Sequence, residues 1–507
     1  MARERRRQYG GHGAGCVACR RFPAGRSHRA SAGVRAVTHF ADILFRPGHE
    51  IVADVAARRL SAREVAEAAL DAIEATNPAL NAFTDITHER ATLEADRVDD
   101  LVKRGAAPPL AGLPYSVKNL FDVEGVTTRA GSKINRDNAP AGRDAGLVER
   151  MGAAGGVLLG AVNMGEYAYD FTGENAHDGA SLNPHDPSRM SGGSSGGSGT
   201  SVAAGMVAVS LGSDTNGSIR VPSSFCGLYG LKPTYGRLTR SRTFPFVGSL
   251  DHLGPLARSP RDLALVLDAL QGADPDDPAQ IARPSIAGME AIAQGVDGLR
   301  VAVAGGYFRR QAKPEALAAV DHVAKALGAD REVELFEAHR ARAAAYLITT
   351  SESSTQHFGR LRQRAADFDP DTRDRFLSGA MVPAAWYIAA QRFRSLFRDE
   401  MRRLFETVDV ILAPATPFFA LPSGTKTVEL DGVSLPARAN IGIFTQPISF
   451  VGLPVVAVPV WLPGSKLPIG VQVIAPAWRE DIALRVAEML HADGVTAAPV
   501  APLSEKR

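Results

Sequence analysis

The chain has 507 residues, 45% apolar and 22% charged, and no run of about 18 apolar residues, so no membrane-spanning helix is expected. Its formal net charge is +2, but nine arginines against one acid put about +8 on residues 1–36 and leave about −6 on residues 37–507. A mildly acidic body argues against nucleic acid as the main partner, and three cysteines, Cys16, Cys19 and Cys226, give no disulfide framework.

Residues 1–36 show no apolar periodicity and no apolar stretch of the kind an export signal needs, so they read as a basic, disordered tail or a misassigned start. Cys16-x-x-Cys19 stands alone there, without the second pair that would complete a metal site. One folded domain is expected over 37–507. Ser61 and Glu64 form a capping box, and the helix they open is expected to stop before Asn77–Pro78. Short Val/Ile/Leu-rich runs follow in order: "PYSVKNLF", "GGVLLGAVN", "MVAVSLGSD", "LRVAVAGG", "VDVILAPAT", "PVVAVPVW" and "IGVQVIAP". Helical patterns such as "AGLVERMG", "PRDLALVLDAL" and "EDIALRVAEML" separate many of them. Strands alternating with helices predict an α/β protein with a largely buried sheet.

Polar residues stand out in three apolar or glycine-rich settings. Lys118 closes the apolar run "PYSVK", where burial would lower its pKa and make it a base; the plain alternative is a strand-end lysine reaching water. Ser194 and Ser195 lie among glycines in "MSGGSSGGSG". No lysine follows to make a phosphate-binding loop, and the G-x-S-x-G spacing around Ser195 lacks the preceding strand of a nucleophile elbow. Ser218, in "GSDTNGSIRVP", leaves a buried run on a loop where the N–H groups of Thr215, Asn216, Gly217 and Ser218 can converge on negative charge. Alone, that stretch equally reads as a tight turn. The twelve histidines form no HExxH and no tight cluster, so neither metal nor other cofactor is expected.

In order and spacing, "GGSSGGSGTSVAAGMVAVSLGSDTNGSIRVPSSFCGLYGLKPTYGRL" with Lys118 upstream resembles the amidase signature family over about residues 60 to 480. The resemblance implies one large domain with a mixed, twisted central sheet covered by helices. It implies a Ser-cisSer-Lys triad: Ser218 as nucleophile, Ser194 as bridging serine and Lys118 as base, with Ser195 orienting its neighbours. The oxyanion hole would be the N–H groups of Thr215, Asn216, Gly217 and Ser218. Many members have Gly-Gly before the nucleophile where this chain has Asn216–Gly217; Asn tolerates unusual backbone geometry, so the nest can survive.

The flanking "FTGENAHDG" and "LTRSRTFPFVGSLDHLGPLARS" resemble a subgroup that cleaves small carboxylated urea derivatives with release of ammonia. That implies a homodimer or heterotetramer, a cytoplasmic setting and a small helical partner subunit. A carboxylated substrate calls for an arginine, whose planar fork binds carboxylate bidentately. Arg220 lies in the signature itself, and Tyr387, Gln391 and Arg394 share one face of a predicted helix at i, i+4 and i+7. Three rivals remain: the glutaminase subunit of a tRNA-dependent amidotransferase, a general amidase, and an esterase acting through Ser195.

Overall fold

Runs that are apolar on both faces become the interior strands. The computed structural model describes residues 40–502; the expected tail over 1–36 and the Cys16–Cys19 pair lie outside the described residues. The strands are β1 (Phe83–Ile86), β2 (Pro114–Lys118), β3 (Val157–Val162), β4 (Val209–Asp214), β5 (Tyr229–Lys232), β6 (His252–Ala257), β7 (Val301–Ala304), β8 (Glu332–Val333), β9 (Val410–Pro414), β10 (Thr427–Leu430), β11 (Val433–Pro436), β12 (Val455–Val460) and β13 (Ile469–Ile474). Eleven of them form one sheet in the order β1-β3-β2-β4-β6-β5-β12-β13-β9-β7-β8, while β10 and β11 make a separate hairpin. The sheet is mixed: β2 runs parallel to β3 and β4, whereas β4–β6 and β12–β13 are antiparallel. Every residue of β2, β4, β12 and β13 is buried, because helices pack against the sheet; Pro260–Leu270 lies on β6, Arg220–Cys226 on β12 and β13, and Glu480–Ala492 on β12. This is the mixed α/β architecture expected of one domain. No helix among the described residues is long and apolar enough to cross a membrane.

Two local expectations need correction. The Ser61–Glu64 capping box is present, but its helix runs Ala62–Leu80, through Asn77 and Pro78, and ends on left-handed Asn81. A proline in the last turns forfeits a single ladder bond, which a buried helix tolerates. Strand β6 was not anticipated, since Gly254–Pro255 interrupts its apolar pattern; pairing with β4, where Pro255 faces Leu211, decides it.

This topology places Lys118 at the end of β2, beside the end of β4. The helix Gly196–Ala203, which packs on both strands, brings Ser194 and Ser195 at its N-terminus. Its glycines are there for packing: a Cβ on Gly197 would sit 2.5 Å from the backbone N and O of Asn163. The Gly/Ser run is a buried element.

Candidate active site

Lys118 is fully buried, and its Nζ donates to three serine hydroxyls: Ser194 at 2.7 Å, Ser213 at 2.8 Å and Ser195 at 3.0 Å. Burial pushes its pKa down to about 7, against the opposing pull of Asp214, Asp251 and Asp170. A hydroxyl both donates and accepts, so this cage satisfies the ammonium and the neutral amine alike. Ser195 is tied to β4: its Oγ donates to Ser213 O at 3.1 Å and accepts from Ser213 N at 3.3 Å. Fully buried and tied to β4, it is not placed to attack a substrate, which corrects the nucleophile-elbow alternative. The Gly193–Ser194 peptide is cis.

β4 delivers the chain into the loop 215–218, and the helix Arg220–Cys226 takes it away. The loop is tied from behind. Thr215 Oγ1 donates to Asp251 at 2.6 Å, Asn216 Nδ2 to Thr349 at 2.9 Å, and Thr445 Oγ1 to Asn216 O at 2.6 Å. Gly217 has φ 144°, and a Cβ there would meet Thr445 Oγ1 at 2.2 Å, so glycine is required. The N–H groups of residues 215–218 find no acceptor among the described residues. Neither does the Ser218 hydroxyl make a hydrogen bond among them, with Ser194 or any other group.

Ser218 lines a small cavity with Asn216, Thr215, Tyr169, Phe171, Phe246 and Arg375. Arg375 lies 3.8 Å from the centre of the Tyr169 ring and donates to Tyr169 O at 2.9 Å; no ion pair engages it among the described residues. Asn216 Oδ1 is buried without a partner among the described residues, an uncommon and costly state for an amide oxygen.

The arginines chosen from sequence are elsewhere. Arg220 is completely buried, and its donors go to Asp214, Thr445 O, Gln472 and Ser449. Burial would raise the Asp214 carboxyl, but the Arg220 charge holds it well below the usual range. Nothing is left on Arg220 for a substrate, so its role is to brace the loop, not to bind substrate. Tyr387, Gln391 and Arg394 do share a face of the helix Ala384–Leu404. Tyr387 donates to Glu352 and Gln391 to Tyr387, each at 3.0 Å, and Arg394 to Phe450 O and Ser249 O. Gln391 and Arg394 line a cavity of about 770 Å³ and Tyr387 one of about 950 Å³; neither is lined by Ser218, though the second shares Phe246 with the Ser218 cavity, so the structure does not bring these three residues to Ser218. The cation at Ser218 comes instead from the preceding helix, Pro370–Gly379. Ser213 and Arg375 were both missed. Ser213 reads as filler in a strand, and "DTRDRFLSG" as a solvated helix.

A mixed sheet that buries an amine among serine hydroxyls, next to a serine and free backbone donors, defines an amide-cleaving hydrolase. The chain belongs to the amidase family, whose profile matches residues 64–484. It is 54% identical over 449 residues to AtzE, the 1-carboxybiuret hydrolase subunit of Pseudomonas sp. (strain ADP), covering 88% of this chain and 98% of that one. It is 37% identical over 470 residues to a glutamyl-tRNA(Gln) amidotransferase subunit of Chromohalobacter salexigens, covering 87% and 95%. A solved structure, described as a vestigial protein complex revealing the origins of an s-triazine catabolic enzyme, matches with TM-score 0.88 and 53% identity, over 89% of this chain and all of that one.

Proposed function

We propose that the protein hydrolyses a terminal amide of a small carboxylated urea or biuret-type molecule, with Ser218 as nucleophile, Ser194 as relay and Lys118 as base. The observation that carries this is the buried Lys118 amine held at 2.7 Å from Ser194, since a serine is a weak nucleophile until its proton is removed. Neutral Lys118 takes the Ser194 proton while Ser194 takes that of Ser218, and Ser218 Oγ adds to the amide carbonyl. The oxyanion is received by the N–H groups of Thr215, Asn216, Gly217 and Ser218, each essential donor contributing roughly 3–4 kcal/mol. The proton returns through Ser194 to the leaving nitrogen, the C–N bond breaks and ammonia departs. Water then enters, loses its proton along the same path, and its attack frees the acid and Ser218. The Ser194 and Ser218 hydroxyls make no hydrogen bond to each other among the described residues, and substrate binding brings them into contact.

Two features of the cavity support the substrate class. Arg375 is a cation without an ion-pair partner among the described residues and fits a carboxylate. Asn216 Oδ1 is a buried acceptor without a partner among the described residues and fits a urea N–H. The similarity to a 1-carboxybiuret hydrolase subunit supports the same reading. Because relatives are named as subunits, we read the chain as working with a small helical partner, as a homodimer or heterotetramer, in the cytoplasm.

The test is an ammonia-release screen over carboxybiuret, biuret, allophanate, malonamide, glutamine and simple amides, with and without a candidate small subunit. Carboxybiuret-type substrates should lead. Activity confined to glutamine would overturn this reading in favour of the amidotransferase one, which the lower-identity relatives favour.

A further inference from the structure

Glu166 is a buried carboxylate that the proton relay does not use. With 0% exposure it accepts from Ser132 Oγ at 2.8 Å, Asp369 N at 2.8 Å and Thr372 Oγ1 at 2.8 Å, and it faces His177 Nε2 at 3.0 Å. Two of these partners begin the helix Pro370–Gly379, where a carboxylate also complements the positive end of the helix. That helix carries Arg375. On its own side, Glu166 starts the loop that ends in Tyr169. The two residues between, Tyr167 and Ala168, have φ of 47° and 62°, a left-handed conformation that side-chain-bearing residues keep only where their surroundings hold it. The Tyr167 ring is packed against Phe244, His357, Phe368 and Phe376, the last two flanking or lying on the Arg375 helix.

One carboxylate therefore fastens both halves of the Tyr169–Arg375 stack. We propose that Glu166 is the positioning residue for the carboxylate-recognising wall of the Ser218 cavity, holding the Tyr169 loop and the Arg375 helix in register. This rests on the reading of Arg375 given above. A bidentate guanidinium–carboxylate pair depends on orientation, and small misplacements of a positioned group are costly. Lys118 and Ser218 stand on other elements, and Ser194 meets this segment through backbone, Gly165 N donating to Ser194 O at 3.2 Å and Gly193 N to Phe171 O at 2.9 Å; the Glu166 side chain itself bonds to Ser132, His177, Asp369 and Thr372 and to no residue of the relay, so the chemical step should change little.

The experiment compares malonamate, a carboxylated amide, with uncharged malonamide. Wild type should prefer malonamate, and Arg375→Ala should lose that preference. Glu166→Gln should raise KM for malonamate at least about tenfold, with kcat for malonamate and kcat/KM for malonamide changing no more than about threefold. In the Arg375→Ala background it should add nothing to the malonamate KM. Thr372→Val, which removes one contact, should shift malonamate KM about threefold in the same direction, and it serves if Glu166→Gln fails to fold. Parallel losses on both substrates would overturn the proposal, as would unchanged selectivity beside a selectivity-deficient Arg375→Ala. A wild type without preference would instead overturn the Arg375 reading.

Discussion

The interior around Lys118 and the wall around Arg375 are built in opposite ways. Lys118, Ser194, Ser195 and Ser213 come from the adjacent strands β2 and β4 and the helix packed on them, and every member is fully or nearly fully buried. The wall joins buried Tyr169 to half-buried Arg375, 206 residues apart in sequence, beside the cavity that Ser218 lines. Under the proposed function, the difference separates two tasks. A proton relay needs a dry, rigid setting in which an amine can be neutral near pH 7, whereas recognition needs a surface that a substrate can reach and that a few substitutions can retune.

The sharpest way to break this division is through the relay. Ser218→Ala should abolish the acyl-enzyme, and Lys118→Ala or Ser194→Ala should lower kcat by about 10³-fold or more for every amide substrate, charged or not. Rapid-quench and steady-state assays check this; full activity in any of the three would remove that residue from the reaction. The wall should respond differently. Arg375→Ala should cost about 100-fold in kcat/KM on carboxylated substrates, mostly through KM, and far less on neutral ones. Equal losses on both would erase the distinction between the two regions.

That distinction also decided what could be read in advance. Lys118, Ser194 and Ser218, the residues of the proposed relay, could be singled out because each is a polar residue in an apolar or glycine-rich run, and a motif of contiguous sequence orders two of them. Strands such as Val455–Val460 were legible because both faces are buried, so their apolar runs are unbroken. Arg220 was misassigned as a substrate contact because Gln472 and Ser449, which consume its donors, lie more than 220 residues away. Arg375 was invisible for the same reason: contacts from distant segments, Glu166 and Tyr169 among them and the helix Ala338–Arg364 beside them, turn a polar helix inward. Residues defined by neighbours in sequence can be read; those defined by partners across the fold cannot.

The pH dependence sharpens the comparison from the relay side. With the Lys118 pKa brought down to about 7 by burial, kcat/KM should fall about tenfold per pH unit below that value and level off above it. The unfolded chain binds a proton at this lysine up to about pH 10.4, whereas the folded chain releases it near 7. Between those values the unfolded state holds more protons, so this residue's contribution to stability rises with pH, and its cost is full below pH 7. Lys118→Met should therefore raise stability more at pH 6 than at pH 10, measured by urea unfolding. A rate unchanged down to about pH 5 would place the base elsewhere.

Asn216 sits where the two regions meet, with its backbone in the loop 215–218, the proposed oxyanion hole, and its side chain in the cavity wall. Its Nδ2 is fixed on Thr349 at 2.9 Å, which leaves Oδ1 buried and unpaired. A buried acceptor left without a donor costs about 1–3 kcal/mol, and a ligand N–H that reaches it recovers that cost on binding. Asn216→Gly restores the Gly-Gly found in many family members and keeps the backbone donor, so the oxyanion hole should survive. The expected result is a KM rise of about tenfold for substrates with a urea N–H, and kcat/KM for malonamate changed by no more than about twofold. Thr349→Val keeps Oδ1 but frees the amide to turn, and should give a smaller rise on the urea substrates alone. If Asn216→Gly instead lowers kcat equally on both classes, the side chain supports the relay and not the wall, and the boundary between the two regions moves to include it.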